Sequence, residues 1–252
     1  MLSELLQTVK TNIRKVQHNA DIQRLKEAAA NLENIKRVHI SLDDVRQLFI
    51  DAKELGITSL FATPLITELK QLHEQYGVKF SLYCFDDPAY RLNQFNCSEL
   101  KDNEEWLRIG YHADKDGSVT LGGYRGFEDY YRGAGLSLAS SLRLHYFDCS
   151  QELIPELREN GVIRLFCADD GRNSYGIPKD AYMGGYLRDG IRFCPTDLRL
   201  EHNVSRMMEE PRLLSKEELI IFGHETPFMK YREYEKLEAI LHMLPDTVEY
   251  EF

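Results

Sequence analysis

One pattern, repeated four times, constrains this chain more than any other: an apolar run that ends in a carboxylate or an imidazole. Val38-His39-Ile40-Ser41-Leu42 runs into Asp43-Asp44, Trp106-Leu107-Arg108-Ile109-Gly110-Tyr111 into His112, Val162 to Cys167 into Asp169-Asp170, and Leu219 to Gly223 into His224-Glu225. Short apolar runs flanked by helical patterns read as strands of a parallel sheet. In α/β barrels and open parallel sheets, the residues just past the carboxyl ends of the strands line one common face. Groups far apart in sequence therefore converge there, and convergent carboxylates and imidazoles make a metal or acid–base site.

The cadence between these runs supports that reading. Leu2, Leu5, Leu6, Val9, Ile13 and Val16 recur at helical spacing, which predicts an N-terminal helical extension over 1–35, packed on the barrel exterior, ahead of a strand at 36–42. A short helix is expected over 44–55 and a longer one over 64–76, where Pro64 suits a first turn and Gly77 a stop. Strands follow near 78–84, 106–111, 142–147 and 162–167, separated by helices near 88–103, 127–140 and 150–159. Gly171, Gly176, Pro178, Gly184, Gly185 and Gly190 then break the rhythm and predict a loop and hairpin insertion near 171–200, with strands near 181–187 and 190–194. Leu219 to Phe222 restores a buried strand and Phe228 to Leu244 an amphipathic helix, followed by a short tail. Strand and helix units of this kind build parallel sheets through crossovers, here with about six to eight strands. At 252 residues, the length fits one large domain over 1–252 better than two small ones.

Charge and cysteine usage narrow the partners. The formal net charge is −10, with no lysine- or arginine-rich run to track phosphates, so nucleic acid is not an expected partner. The five cysteines lack CxxC spacing and are an odd number, which favours reduced thiols. The N-terminal stretch carries Lys10, Arg14, Lys15, Arg24 and Lys26 among its apolar residues, unlike a signal peptide, and nothing reaches membrane-spanning length. A cytoplasmic protein without a membrane partner is expected, although a chain whose leader had been removed would read the same. Nothing in the sequence sets an oligomeric state.

Individual residues carry more than one reading. Asp43 and Asp44 are adjacent at a strand end, so one can bind a metal while its neighbour takes a proton; either could instead cap a helix starting at Val45. His112 is followed at i+4 by Asp116, a spacing that on a helical turn lets both share a metal, although Gly117 would keep such a turn brief. The alternative is a strand-end imidazole beside a solvated turn. In 142–147, strand alternation sends Arg143 and His145 to one face, where a buried Arg143 needs a carboxylate and could hold Asp43. His39 reads as an interior histidine. Asp169, Asp170, Asp197 and Glu201 add acidic groups that could equally cap or solvate loops, and His224 could flank a helix or act in catalysis.

Taken in order, Asp43-Asp44, His112, Arg143 and His224 resemble the motifs of the polysaccharide deacetylases, the carbohydrate esterase family four group, over roughly residues 36–226. Ser-Leu-Asp-Asp-Val is similar to the family's Thr-Phe-Asp-Asp-Gly without the glycine, which by resemblance makes Asp43 the general base and Asp44 a metal ligand. His112-Ala113-Asp114-Lys115-Asp116 is similar to His-Ser/Thr-x-x-His with the second histidine missing; Asp116 could replace it as an oxygen ligand, favouring harder ions, or leave the metal site weakened. Leu142 to Phe147 resembles the arginine motif that orients the base, without its usual proline. Ile221-Phe222-Gly223-His224 resembles the closing Leu-x-His motif and would make His224 the general acid, while Asp169-Asp170 takes roughly the place of the acidic motif. The resemblance implies a distorted (β/α)7-8 barrel of the glycoside hydrolase and deacetylase type. It implies a divalent metal, zinc first, with cobalt, nickel or manganese as alternatives, and hydrolysis of an N-acyl group on a carbohydrate, with His145, Asp169 and Asp170 near substrate. Two other readings stay open, a catalytically silent carbohydrate-binding barrel and a metal-independent glycosidase with paired carboxylates.

Overall fold

The computed structural model describes residues 2–25 and 32–252, with side chains from residue 13 onward. Helix α1 (Leu2–Leu25) precedes β1 (Arg37–Val45), α2 (Gln47–Glu54), α3 (Pro64–Tyr76), β2 (Phe80–Asp86), α4 (Gln94–Lys101), β3 (Leu107–Asp114) and α5 (Leu121–Gly133). Then come β4 (Ser141–Leu142), α6 (Leu153–Glu159), β5 (Arg164–Cys167), α7 (Lys179–Tyr182), β6 (Tyr186–Arg188), β7 (Ile191–Pro195) and β8 (Leu198–Arg199). The chain closes with α8 (Val204–Met208), β9 (Glu218–His224), α9 (Glu225–Lys230), α10 (Tyr234–Leu241) and β10 (Glu249–Glu251). Of the extension expected over 1–35, residues 1 and 26–31 lie outside the described residues, as do the side chains of Leu2, Leu5, Leu6 and Val9.

Two sheets make a distorted barrel. A six-stranded parallel sheet runs β3-β2-β1-β9-β8, with β10 paired to the start of β1, and a four-stranded sheet runs β4-β5-β7-β6. The continuous segment 191–199 joins them on one side, pairing with β5 through β7 and with β9 through β8. On the other side the link is a backbone bond from Ala139 N to Ile109 O of 2.9 Å, so the ladder does not close into one ring. Gly110 permits this approach: a Cβ there would lie 2.5 Å from Leu142 Cδ2. The expected insertion is present as α7 and the antiparallel β6–β7 hairpin.

Local chemistry explains the elements that frame the site. In α3, Pro64 fills the first turn, Leu65, Ile66, Leu69 and Leu72 face the core, and Gly77 ends the helix at φ 68° with its N–H on His73 O, as the spacing predicts. The start of α2 is not capped by Asp43 or Asp44. Glu225, the first residue of α9, accepts from Arg46 N (2.7 Å), Gln47 N (2.6 Å) and Leu48 N (2.7 Å) instead.

The structure departs from the sequence expectation in three places that bear on function. Strand β1 does not stop at Leu42 but continues through both aspartates to Val45, with a register shift against β2 between Leu42 and Val45 and Asp44 at φ 56°. The expected strand over 142–147 is only Ser141–Leu142, because Tyr146 and Phe147 adopt left-handed φ of 56° and 57° and turn the chain into a 3-10 segment. The tail is β10, parallel to β1, and the Phe252 carbonyl accepts from Ser141 Oγ (2.9 Å) and Arg164 Nη2 (2.9 Å) at the end of the barrel opposite the site.

Candidate metal-binding active site

Two bulges aim the central residues. Between Leu42↔Leu82 and Val45↔Cys84, strand β1 has one residue more than β2, and between Cys84↔Tyr111 and Phe85↔Ala113 strand β3 has His112 to spare. A bulge breaks strict alternation and redirects a side chain. Asp43 therefore points to the buried interior while Asp44 turns toward His112, and His112 Nε2 lies 3.1 Å from Asp44 Oδ1. The third member comes from the 3-10 turn: His145 Nε2 is 3.9 Å from the same oxygen. One ligand atom from each of Asp44, His112 and His145 lies within 4.8 Å of the other two.

The outer partners fix both imidazoles. His112 Nδ1 is 2.6 Å from Arg143 O and His145 Nδ1 is 2.9 Å from Gly117 O. Carbonyl oxygens only accept, so both Nδ1 atoms carry the proton and each ring turns Nε2 toward the carboxylate. Gly117 makes the room, since a Cβ there would sit 3.1 Å from His145 Cε1. With a second proton on Nε2 of each imidazole in place of an ion, burial works against a charge on Asp44, but the His112 hydrogen bond and the charges of His112, His224 and His145 outweigh it and hold its carboxyl below the usual range; a cation would take the place of those Nε2 protons. One carboxylate facing two imidazole nitrogens of fixed tautomer is a donor set that fits a divalent cation of the zinc type.

Beside this triad sits a buried pair. Arg143 is fully buried; its Nη1 donates to Asp43 Oδ1 (3.0 Å) and Ser41 Oγ (2.8 Å), its Nη2 to Thr196 Oγ1 (3.2 Å), and its guanidinium lies 4.1 Å over the Phe222 ring. Charge pairing and hydrogen bonds offset the cost of burying both ions. Asp43 and His224 are direct register partners on β1 and β9, so the two residues expected to move protons end adjacent strands at the same level.

His224 has its own carboxylate. Glu201 Oε1 accepts the His224 backbone N–H at 2.5 Å and lies 3.3 Å from His224 Nδ1. Burial lowers the imidazole pKa, yet the Glu201 hydrogen bond and the charges of Asp43, Glu201 and Asp44 outweigh it and raise it above the ordinary histidine value. Burial likewise opposes the Glu201 charge, and His224 outweighs it, so that carboxyl sits low. Arg199 ties the group together, with Nη2 3.5 Å from His224 Nε2, Nε 3.5 Å from Glu201 Oε2 and Nη1 3.6 Å from Asp169 Oδ1.

The expected residues thus separate into groups. Asp43, Asp44, His112, Arg143 and His224 gather at one end of the strands. His145, expected at substrate, stands with Asp44 and His112 where Asp116 was expected. Asp116 is exposed and accepts from Ser118 N (3.0 Å) and Oγ (2.7 Å), because 112–116 is strand and turn rather than helix and extended backbone carries position i+4 away from i. Asp169 is buried against Arg199 and His202, whereas Asp170 turns outward to Arg172. Asp197 is structural, held by Lys216, Arg212 and Ile220 N. Sequence reasoning missed the roles of Arg199 and Glu201; Leu198 to Leu200 is one more apolar run ending in an acid, obscured by its length and by Arg199 within it.

No protein-family model matches the chain. No curated protein matches it. Among solved structures, the fold is similar to that of 4-alpha-glucanotransferase from Thermococcus litoralis, at a TM-score of 0.52 and 15% sequence identity, over 86% of this chain and 39% of that one. The present chain therefore spans well under half of that structure, and identity this low speaks for the fold alone: an α/β barrel with a mostly parallel sheet. Among the described residues, no helix is long and apolar enough to cross a membrane.

Proposed function

We propose that the chain is a metal-dependent hydrolase that removes an N-acyl group from a carbohydrate. The observation that carries this reading is the convergence of Asp44, His112 and His145 with both imidazole tautomers fixed by backbone carbonyls, flanked by the Asp43–Arg143 and His224–Glu201 pairs. The order of these residues resembles the polysaccharide deacetylases, and the fold is shared with a glucanotransferase, both of which favour a sugar substrate. Asp44, His112 and His145 would hold a divalent ion, which when bound would supply Lewis-acid chemistry at the acyl carbonyl. Asp43, held at one oxygen by Arg143, accepts a proton from the attacking water. His224, kept protonated by Glu201, returns a proton to the departing amine. Tyr146, 71% exposed with its ring 4.0 Å from that of His145, offers an aromatic face at the mouth of the site for the apolar side of a sugar ring.

The test is acetate release from N-acetylated oligosaccharides by protein stripped with chelator and reloaded with zinc, cobalt, nickel or manganese. Release that requires the ion and falls about a hundredfold or more in Asp43→Asn is expected. A folded, metal-loaded protein that releases none from any substrate fits the silent-binder reading, and metal-independent cleavage of glycosidic bonds fits the glycosidase.

A further inference from the structure

Helix α1 and helix α10 lie outside the strands, yet between them they hold the loop that carries Glu201. Lys236 on α10, only 3% exposed, donates from Nζ to Leu200 O (2.8 Å) and His202 O (2.9 Å), the two carbonyls that flank Glu201. Its charge is met by Glu233 Oε2 at 2.9 Å and by Asp21 Oδ2, from α1, at 3.4 Å. Asp21 continues the same loop, accepting from Val204 N (2.8 Å) and Ser205 N (2.9 Å). His18, one turn earlier on α1, sits between Glu233 Oε2 (3.2 Å) and Glu235 Oε2 (3.0 Å) and ties α1 to α10.

Residues 200–205 thus have their main chain fixed by two buried side chains. Leu200 and Val204 are buried in the core at either end of this segment, whereas Glu201, His202 and Asn203 between them line a cavity of about 490 Å³ shared with Arg14 and His18 of α1. Across that stretch polar contacts, rather than apolar packing, hold the main chain.

We propose that Lys236 and Asp21 are positioning residues for the Glu201–His224 pair, so that α1, a helix outside the barrel, sets the geometry of the proton donor. The chemical consequence rests on the reading of His224 as that donor; the structural one does not. Loss of Asp21 removes the acceptor for two N–H groups and a counter-charge of Lys236, and loss of Lys236 frees both carbonyls beside Glu201. In either case Glu201 drifts from the His224 N–H, its partner at 2.5 Å.

That backbone N–H is the probe. In Asp21→Asn and Lys236→Met, hydrogen exchange at the His224 amide, followed by NMR, is expected to quicken about tenfold or more, while the Ile40 amide on β1 keeps its protection. Glu201→Gln serves as the control that loosens the same bond directly, and whichever clamp variant folds carries the test. Unchanged exchange at His224 in a folded clamp variant overturns the proposal. The chemistry is read separately: turnover of an N-acetylated sugar is expected to fall about tenfold while that of an activated aryl acetate, whose leaving oxygen needs little protonation, stays within about twofold. An equal fall on both substrates marks a merely structural role and overturns the proposal. If the wild-type protein releases no acetate from any sugar, the deacetylase reading fails, and the exchange rates still decide whether the clamp positions His224.

Discussion

The two sheets contribute to the site in different ways. In the six-stranded sheet, β1, β3 and β9 are seven to nine residues long, and main-chain pairing places Asp43 opposite His224 with His112 one strand beyond β2. In the four-stranded sheet, β4 is two residues long, and Arg143 and His145 follow it on a segment with no ladder of its own. That segment is placed by side chains and a strained turn: Leu144 N donates to Tyr175 Oη (3.1 Å), Tyr175 N to Phe147 O (2.6 Å), and Phe147 packs inward. One half of the site is therefore fixed by backbone register and the other by packing, and the second should be the easier to break.

The largest expected effect comes from the link between the halves. Arg143→Met leaves Asp43 buried without its cation, and breaking a buried pair in this way costs about 3–5 kcal/mol. Chemical denaturation should show that loss of stability or an unfolded chain. A variant as stable as the parent would mean that the halves do not depend on this pair.

Next in size is the metal triad. His112→Ala and His145→Ala should each weaken zinc binding, read by calorimetric titration, by about a hundredfold or more, because each removes one of the three proposed ligands. Asp116→Ala, which loses the hydrogen bonds from Ser118, should leave affinity unchanged. If Asp116→Ala weakens zinc and His145→Ala does not, the helical-turn ligand set was right and the present one is wrong.

The same contrast explains what could be read from sequence. The long strands and α3 were legible because period and punctuation specify them locally, and the convergence of Asp43, Asp44, His112, Arg143 and His224 was legible because parallel strands bring their ends together. The place of His145 beside Asp44 and His112 was not legible. Its position depends on left-handed φ at Tyr146 and Phe147, which neither aromatic residue advertises, and on a bulge at His112 that only the pairing with β2 creates. The double aspartate was read as a strand end when it is a bulge inside the strand, for the same reason. Glu201 was named only as one acidic group among four, and its pairing with His224 escaped because β8 is two residues long, too short for a periodic signal.

The His224–Glu201 pair should give a pH signature of moderate size. His224 is raised, so its contribution to stability is complete below the ordinary histidine value of 6.5 and fades as pH rises through its elevated pKa. Glu201 is lowered, so its contribution is complete above the ordinary value of 4.5 and fades as pH falls through its depressed pKa. The melting-temperature gap between the parent and Glu201→Gln should therefore be widest between about pH 4.5 and 6.5 and close at both extremes. A gap that keeps widening into alkali would contradict a protonated His224.

The smallest effect tests the turn that presents His145. Tyr146 has φ 56° and a ring that is mostly exposed, so removing the side chain sacrifices little burial. Glycine adopts this region freely but adds entropy to the unfolded chain, and the two terms nearly offset, leaving Tyr146→Gly within about 1 kcal/mol of the parent. Valine, branched at Cβ, resists left-handed backbone, and Tyr146→Val should cost about 1–3 kcal/mol and weaken zinc binding as His145 shifts. Urea midpoints paired with zinc titrations separate the cases. Equal stability and equal affinity for the glycine and valine variants would show that the backbone here is not strained, and that the half of the site built by packing is as robust as the half built by register.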